Sequence, residues 1–104
     1  MVYLAAPYSH PDPAIVAERM DRFCQVFAKM ISDGMHVVSP LLCHFVLPYG
    51  KLPSDWNYWQ NYSKALIDQC ETMYVIMMPG WLESEGVTAE IQYARSINKK
   101  IWYV

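Results

Sequence analysis

Met73-Tyr74-Val75-Ile76-Met77-Met78 is an unbroken apolar run that stops at Pro79-Gly80 and gives way, within a few residues, to a helical pattern. The run is too short for a buried helix and rich in β-formers, so it reads as a strand covered on both faces. Beyond the turn, Val87, Ile91 and Ala94 recur at helical spacing, Ser84 is a suitable N-cap and acidic Glu85 falls in the first turn. A fully buried strand that feeds a helix belongs to a parallel sheet with helices on both faces.

The remainder of the chain alternates in the same way. Val2 to Ala6 is a buried strand ending at Pro7, and Asp12 with Pro13 starts a helix whose apolar residues Val16, Met20, Phe23, Phe27, Met30 and Ile31 keep a period near 3.6. Asp33-Gly34 closes that helix, and Met35 to Ser39 is a second strand ended by Pro40. Leu41 to Leu52 has no clean period and carries Pro48 and Gly50, which makes it an irregular loop, longer than usual connections and suspect for function. Ser54 or Asp55 caps a second helix running to about Cys70, with Trp59, Tyr62, Leu66 and Ile67 as its apolar stripe. A helix from about Ser84 to Ile97 and a strand from Lys100 to Val104 follow. The expected fold class is α/β, a flavodoxin-like (Rossmann-like) three-layer sandwich over residues 1–104, with a four-stranded parallel sheet in the order 2-1-3-4. In that order the crevice opens between the first and third strands, lined by Ala5 to Ser9 on one side and Pro79 to Gly86 on the other.

Composition narrows the function classes. One core fits 104 residues. A net charge of −2 with only eight Lys plus Arg, scattered along the chain, argues against a nucleic-acid surface. A small nucleotide stays compatible, because backbone N–H groups and hydroxyls at a helix start can hold one phosphate. Cys24, Cys43 and Cys70 form no CxxC pair, so reduced thiols, no metal site and a cytoplasmic location are expected. No stretch approaches membrane-spanning length and no basic leader precedes Val2, so no membrane partner is expected.

Glu90 lies about one and a half helical turns beyond Ser84, so its carboxylate faces either solvent or the crevice. Gly86 is costly in a first helical turn unless something approaches the backbone closely, which favours the crevice. The pattern Ser84-x-Gly86-x-x-x-Glu90-x-x-x-Ala94, joined to the opening Val2-Tyr3-Leu4-Ala5-Ala6-Pro7-Tyr8, resembles the nucleoside 2-deoxyribosyltransferase superfamily over essentially the whole chain. It is most similar to a short bacterial and phage branch that combines such an opening with a middle like Asp55-Trp56-x-x-Trp59 and a Gly80-Trp81 turn.

The resemblance implies an N-glycosidase that cleaves the base–sugar bond of a nucleoside 5′-monophosphate or related nucleotide, or transfers the sugar to another base. Glu90 would attack the anomeric carbon and Tyr3 would hydrogen-bond and orient it; a buried strand tyrosine with a backbone partner is the plain alternative for Tyr3. Ser84 matches a phosphate-contacting serine, Ser9 and the loop N–H groups after Pro7 and Tyr8 complete the cradle, and Gly86 leaves room. No cofactor is implied, and the expected partners are a small-molecule nucleotide and further copies of the chain in a homodimer or larger homo-oligomer. Ser63 stands where the superfamily commonly has an aspartate, which leaves a non-catalytic nucleotide-binding or sensing module as the alternative. A third reading is an interaction protein whose aromatic second helix is a dimer face.

Trp56, Trp59 and Trp81 are able to stack on a base, although aromatics at helical spacing are more often core or interface. His10 lies in the crevice loop as a weak candidate for leaving-group protonation. His36 and His44 match no motif and read as structural.

Overall fold

The computed structural model describes residues 1–104 and has four parallel strands, β1 (Val2–Ala5), β2 (Val37–Val38), β3 (Thr72–Val75) and β4 (Lys100–Tyr103), in the order β2-β1-β3-β4. Val2 sits opposite both Val37 and Thr72, and Ala5 opposite Val75, so β1 is central. The long helices are α1 (Pro13–Ser32), α3 (Trp56–Gln69) and α4 (Glu85–Ser96), with a one-turn α2 (Leu47–Gly50) between the first two. This is the expected flavodoxin-like order.

Strand alternation assigns the layers. Tyr3, Ala5, Met73 and Val75 point to one face and pack with Ile67 of α3 and with Val87, Ile91 and Ala94 of α4. Leu4 and Ala6 point to the other, where they pack with Phe23 and Met30 of α1 and with Leu41, Ile76 and Met78. Asp12 caps α1 through its side chain, which accepts from the Ala14 N–H, and Pro13 takes the first helical position, where its missing N–H costs nothing. Asp55 caps α3 by accepting from the Tyr58 N–H, and Ser84 caps α4 by accepting from the Val87 N–H.

Three expectations are corrected. The second strand is only two residues long: Met35 is bound to the end of α1 by its N–H on the Met30 carbonyl, and Ser39 already caps the next segment. The stretch read as an irregular loop is a 3₁₀ helix, Pro40–Val46, followed by α2, which Lys51 ends with a left-handed φ of 52°. On α3 the buried positions are Ser63 and Ile67; Tyr62 turns outward, and its oxygen accepts from the Cys43 thiol at 3.4 Å.

Candidate active site

A cavity of about 330 Å³ opens at the carboxyl ends of β1 and β2, between the starts of α3 and α4. Four segments build it. Leu4 to Ala6 with Tyr8 and Ser9 come from β1 and its loop, and Ser39 to Leu41 with His44 come from the 3₁₀ helix. Ser54 to Trp56, Trp59 and Ser63 come from α3 and the residues that lead into it, while Glu83 to Val87 and Glu90 come from α4 and the residues that lead into it. The turn residues Pro79 to Leu82, expected along one wall, are not part of it. The crevice is displaced toward β2, whose following 3₁₀ segment supplies Ser39 to Leu41 and His44 to its wall.

Glu90 is 7% exposed and receives a hydrogen bond on Oε2 from the Tyr3 hydroxyl, itself fully buried. The contact follows from register: Tyr3 points to the α4 face of the sheet, and one turn beyond Gly86 the helix turns the Glu90 side chain back onto it. Burial pushes the Glu90 carboxyl up from 4.5 to about 7, and the Tyr3 hydrogen bond works against that rise. Burial and then the facing Glu90 charge raise the Tyr3 phenol well above its usual value, so it stays a donor at neutral pH. Oε1 of Glu90 makes no hydrogen bond within the protein, and the residue lines the cavity. A buried carboxylate with one oxygen fixed and the other free at the cavity is suited to nucleophilic attack.

Ser84 occupies the wall at the start of α4 with its oxygen already accepting from Val87 N–H at 3.2 Å, which leaves the hydroxyl proton for a ligand. The N–H groups of Glu85 and Gly86 open the helix without intrahelical partners. A Cβ on Gly86 would meet Trp56 at 3.7 Å, an ordinary contact. The backbone therefore does not demand glycine there; its effect is to keep that wall open. Ser9 and Tyr8 line the cavity, and Ser63, 2% exposed, forms part of the floor beside Tyr3.

Two expected contacts are not made. Pro7 is buried beneath its loop and does not face the cavity. Trp81 packs on Tyr103, with ring centroids 5.7 Å apart, and against the α3–α4 core, because the Gly80 turn carries it toward β4. His10 is likewise outside: it is exposed, and its Nδ1 accepts the Asp12 N–H at 2.9 Å.

The structure adds residues that the sequence reading set aside. His44 lines the cavity with its ring 3.7 Å from that of Tyr8 and 6.1 Å from that of Trp59, and its Nδ1 is buried without a partner. Burial lowers its pKa to about 4, so it is a neutral imidazole at neutral pH. Ser39, Asp55, Glu83 and Glu85 also line the walls, and no Lys or Arg does. The signal for Ser39 and His44 lay in their position just after a parallel strand, at the sheet edge where ligands of such folds bind.

Arg19 of α1 braces the loop behind this wall. Its Nη1 donates to the Ser9 carbonyl at 2.8 Å, and its guanidinium lies against Gly80, whose φ of +96° and lack of a Cβ both suit the contact. No group of His, Cys, Asp and Glu is placed to hold a metal ion, and no helix is long and apolar enough to cross a membrane. The family described as Domain of unknown function (DUF1937) matches the chain over residues 1–104. No curated protein matches it.

Proposed function

We propose, for a chain that belongs to the DUF1937 family over its whole length, an N-glycosidase that cleaves the base–sugar bond of a nucleoside 5′-monophosphate or related nucleotide. The observation that carries this reading is the Tyr3–Glu90 pair at the bottom of an aromatic-walled cavity. Glu90 attacks the anomeric carbon as the base departs, and its charge offsets the positive charge that develops on the sugar. Tyr3 holds the carboxylate in line and keeps a useful fraction of it ionised near neutral pH. Water, or a second base in the transferase variant, resolves the glycosyl ester. Ser84 and the first N–H groups of α4 support a phosphate or hydroxyl of the sugar's 5′ end.

The testing experiment incubates wild type and Glu90→Gln with a panel of nucleosides and nucleotides and follows free base by chromatography. Base release that Glu90→Gln retains would remove the assignment. A buried Ser63 in place of a carboxylate favours one other reading, a nucleotide-binding module without turnover, for which calorimetry would give binding and chromatography no product.

A homo-oligomer packed through α3 accompanies the proposal. Its support is the row of exposed rings at Tyr58 and Tyr62 on α3 and at Phe45 and Tyr49 on the neighbouring segments. Trp56 belongs instead to its own chain's cavity.

A further inference from the structure

The cavity that holds Glu90 has one sign of charge. Asp55, Glu83 and Glu85 stand on its walls, Glu90 at its floor, and no Lys or Arg side chain reaches it. A cleft lined by one sign concentrates ligands of the other. Aromatic rings also line it: Tyr8, His44 and Trp59 follow one another with centroid separations of 3.7 and 6.1 Å and interplanar angles of 33° and 26°, and Trp56 closes the α4 side. Aromatic faces backed by carboxylates attract cations. One oxygen of the nine-tenths-buried Glu90 and the buried Nδ1 of His44 have no partner within the protein.

Apart from the exposed Glu83 and Glu85 at the start of α4, the cavity also offers few acids for the departing base. A neutral nucleobase leaves as an anion unless a proton reaches it, and general acids supply that proton in most glycoside chemistry. Ser63 occupies the wall with a hydroxyl, His44 is a neutral imidazole at neutral pH, and the Asp55 carboxylate accepts the Tyr58 N–H as the cap of α3. Tyr3 already donates to the nucleophile.

We propose that the base this site releases carries a fixed positive charge, so that the substrate class is a cationic N-glycoside, a pyridinium or N-alkylated purine riboside. The inference rests on the glycosidase reading and narrows it. A Glu90 oxygen bonds to C1′ while the C1′–N bond breaks, and its electron pair returns to the ring nitrogen, which leaves as a neutral molecule without needing a proton. Water then adds to C1′ as the C1′–O bond to Glu90 breaks; the sugar keeps the hydroxyl and one proton goes to solvent. The carboxylates and rings hold the cation before the bond breaks and lose their grip once the charge is gone, which favours release of the base.

The test measures kcat/KM for base release from nicotinamide riboside and N7-methylguanosine against uridine and guanosine, each also as the 5′-monophosphate, with Glu90→Gln as the control for spontaneous hydrolysis. The cationic members are expected to exceed their neutral counterparts by at least about tenfold beyond the ratio of their uncatalysed rates, the worth of one desolvated cation–π contact. Glu83→Gln with Glu85→Gln should narrow that ratio through KM, and added salt should narrow it in wild type. Neutral substrates turned over as well as cationic ones would overturn the inference and leave the glycosidase reading intact. Release from none of them would overturn both.

Discussion

The Tyr3 hydroxyl donates to Glu90 Oε2 across 87 positions of sequence, joining the central strand to the last helix inside the core. The bond does two things at once. It satisfies a phenol that burial would otherwise strand, and it offsets part of the cost of keeping a carboxylate where water is scarce.

That cost gives a stability prediction. The Glu90 carboxyl titrates at about 7 in the folded protein against 4.5 ordinarily, because of burial. Between those values the folded state binds more protons than the unfolded one, so stability falls as pH rises and the whole deficit is present above the upper value. The shift is worth about 3 kcal/mol. Glu90→Gln keeps an acceptor for Tyr3 and removes the charge. Urea titration should show it stabilised by up to about 3 kcal/mol at alkaline pH and nearly unchanged below the ordinary carboxyl value. Equal midpoints at high pH would mean that Glu90 is hydrated.

The same substitution should cost at least about a thousandfold in kcat, the scale expected when a covalent nucleophile is removed. In wild type, kcat/KM should rise with pH through about 7 as Glu90 ionises. A rate that falls across that range would assign the carboxyl as a proton donor instead.

Tyr3→Phe removes a hydrogen bond that favours the charged carboxylate. The ascending limb should therefore move to higher pH, and kcat below it should fall by about ten- to a hundredfold, the range for a bond to a charged group. An unmoved limb would reduce Tyr3 to a packing role.

Gly80→Ala places a Cβ on the Arg19 guanidinium and strains a backbone φ of +96°. Gly34→Ala strains a φ of +86° with nothing within 4 Å. Both should destabilise by roughly 1 kcal/mol for conformation alone, with Gly80→Ala the worse. Combining Gly80→Ala with Arg19→Ala should recover the excess; denaturation midpoints of this cycle measure it, and additive losses would show that the guanidinium moves aside freely.

Light scattering should give a symmetric oligomer at micromolar concentration, and Tyr58→Glu with Tyr62→Glu should dissociate it. Monomer throughout, with activity unchanged on dilution, would sink the assembly through α3.

The fold was legible where local chemistry and global packing agree. Asp12-Pro13, Asp55 and Ser84 announce helix starts that the structure keeps, and the apolar run at Met73 marks an interior strand. The brevity of β2 was not legible, since Val37-Val38 is as β-prone as any longer strand and its length is set by how α1 ends and Ser39 caps. At the site, the pairing of Tyr3 with Glu90 was legible only through the family resemblance, because helix spacing alone left the Glu90 carboxylate facing either solvent or the crevice. Trp81 failed because the left-handed turn at Gly80 sends its ring along the sheet edge toward Tyr103 of β4 instead of toward the crevice, and pattern carries no such direction. His44 escaped because a histidine in a 3₁₀ segment has no periodicity to place it.

The separation of Tyr3 from Glu90 along the chain has a consequence for synthesis. As the polypeptide emerges from its N-terminus, the phenol, the aromatic wall of α3 and β3 are made before the carboxylate. Under the proposed chemistry, a partly made chain lacks the group that attacks the sugar, and competence arrives only when α4 docks on the sheet. On that proposal the nascent protein is inert toward nucleotides, and any product of premature termination before Glu90 stays so.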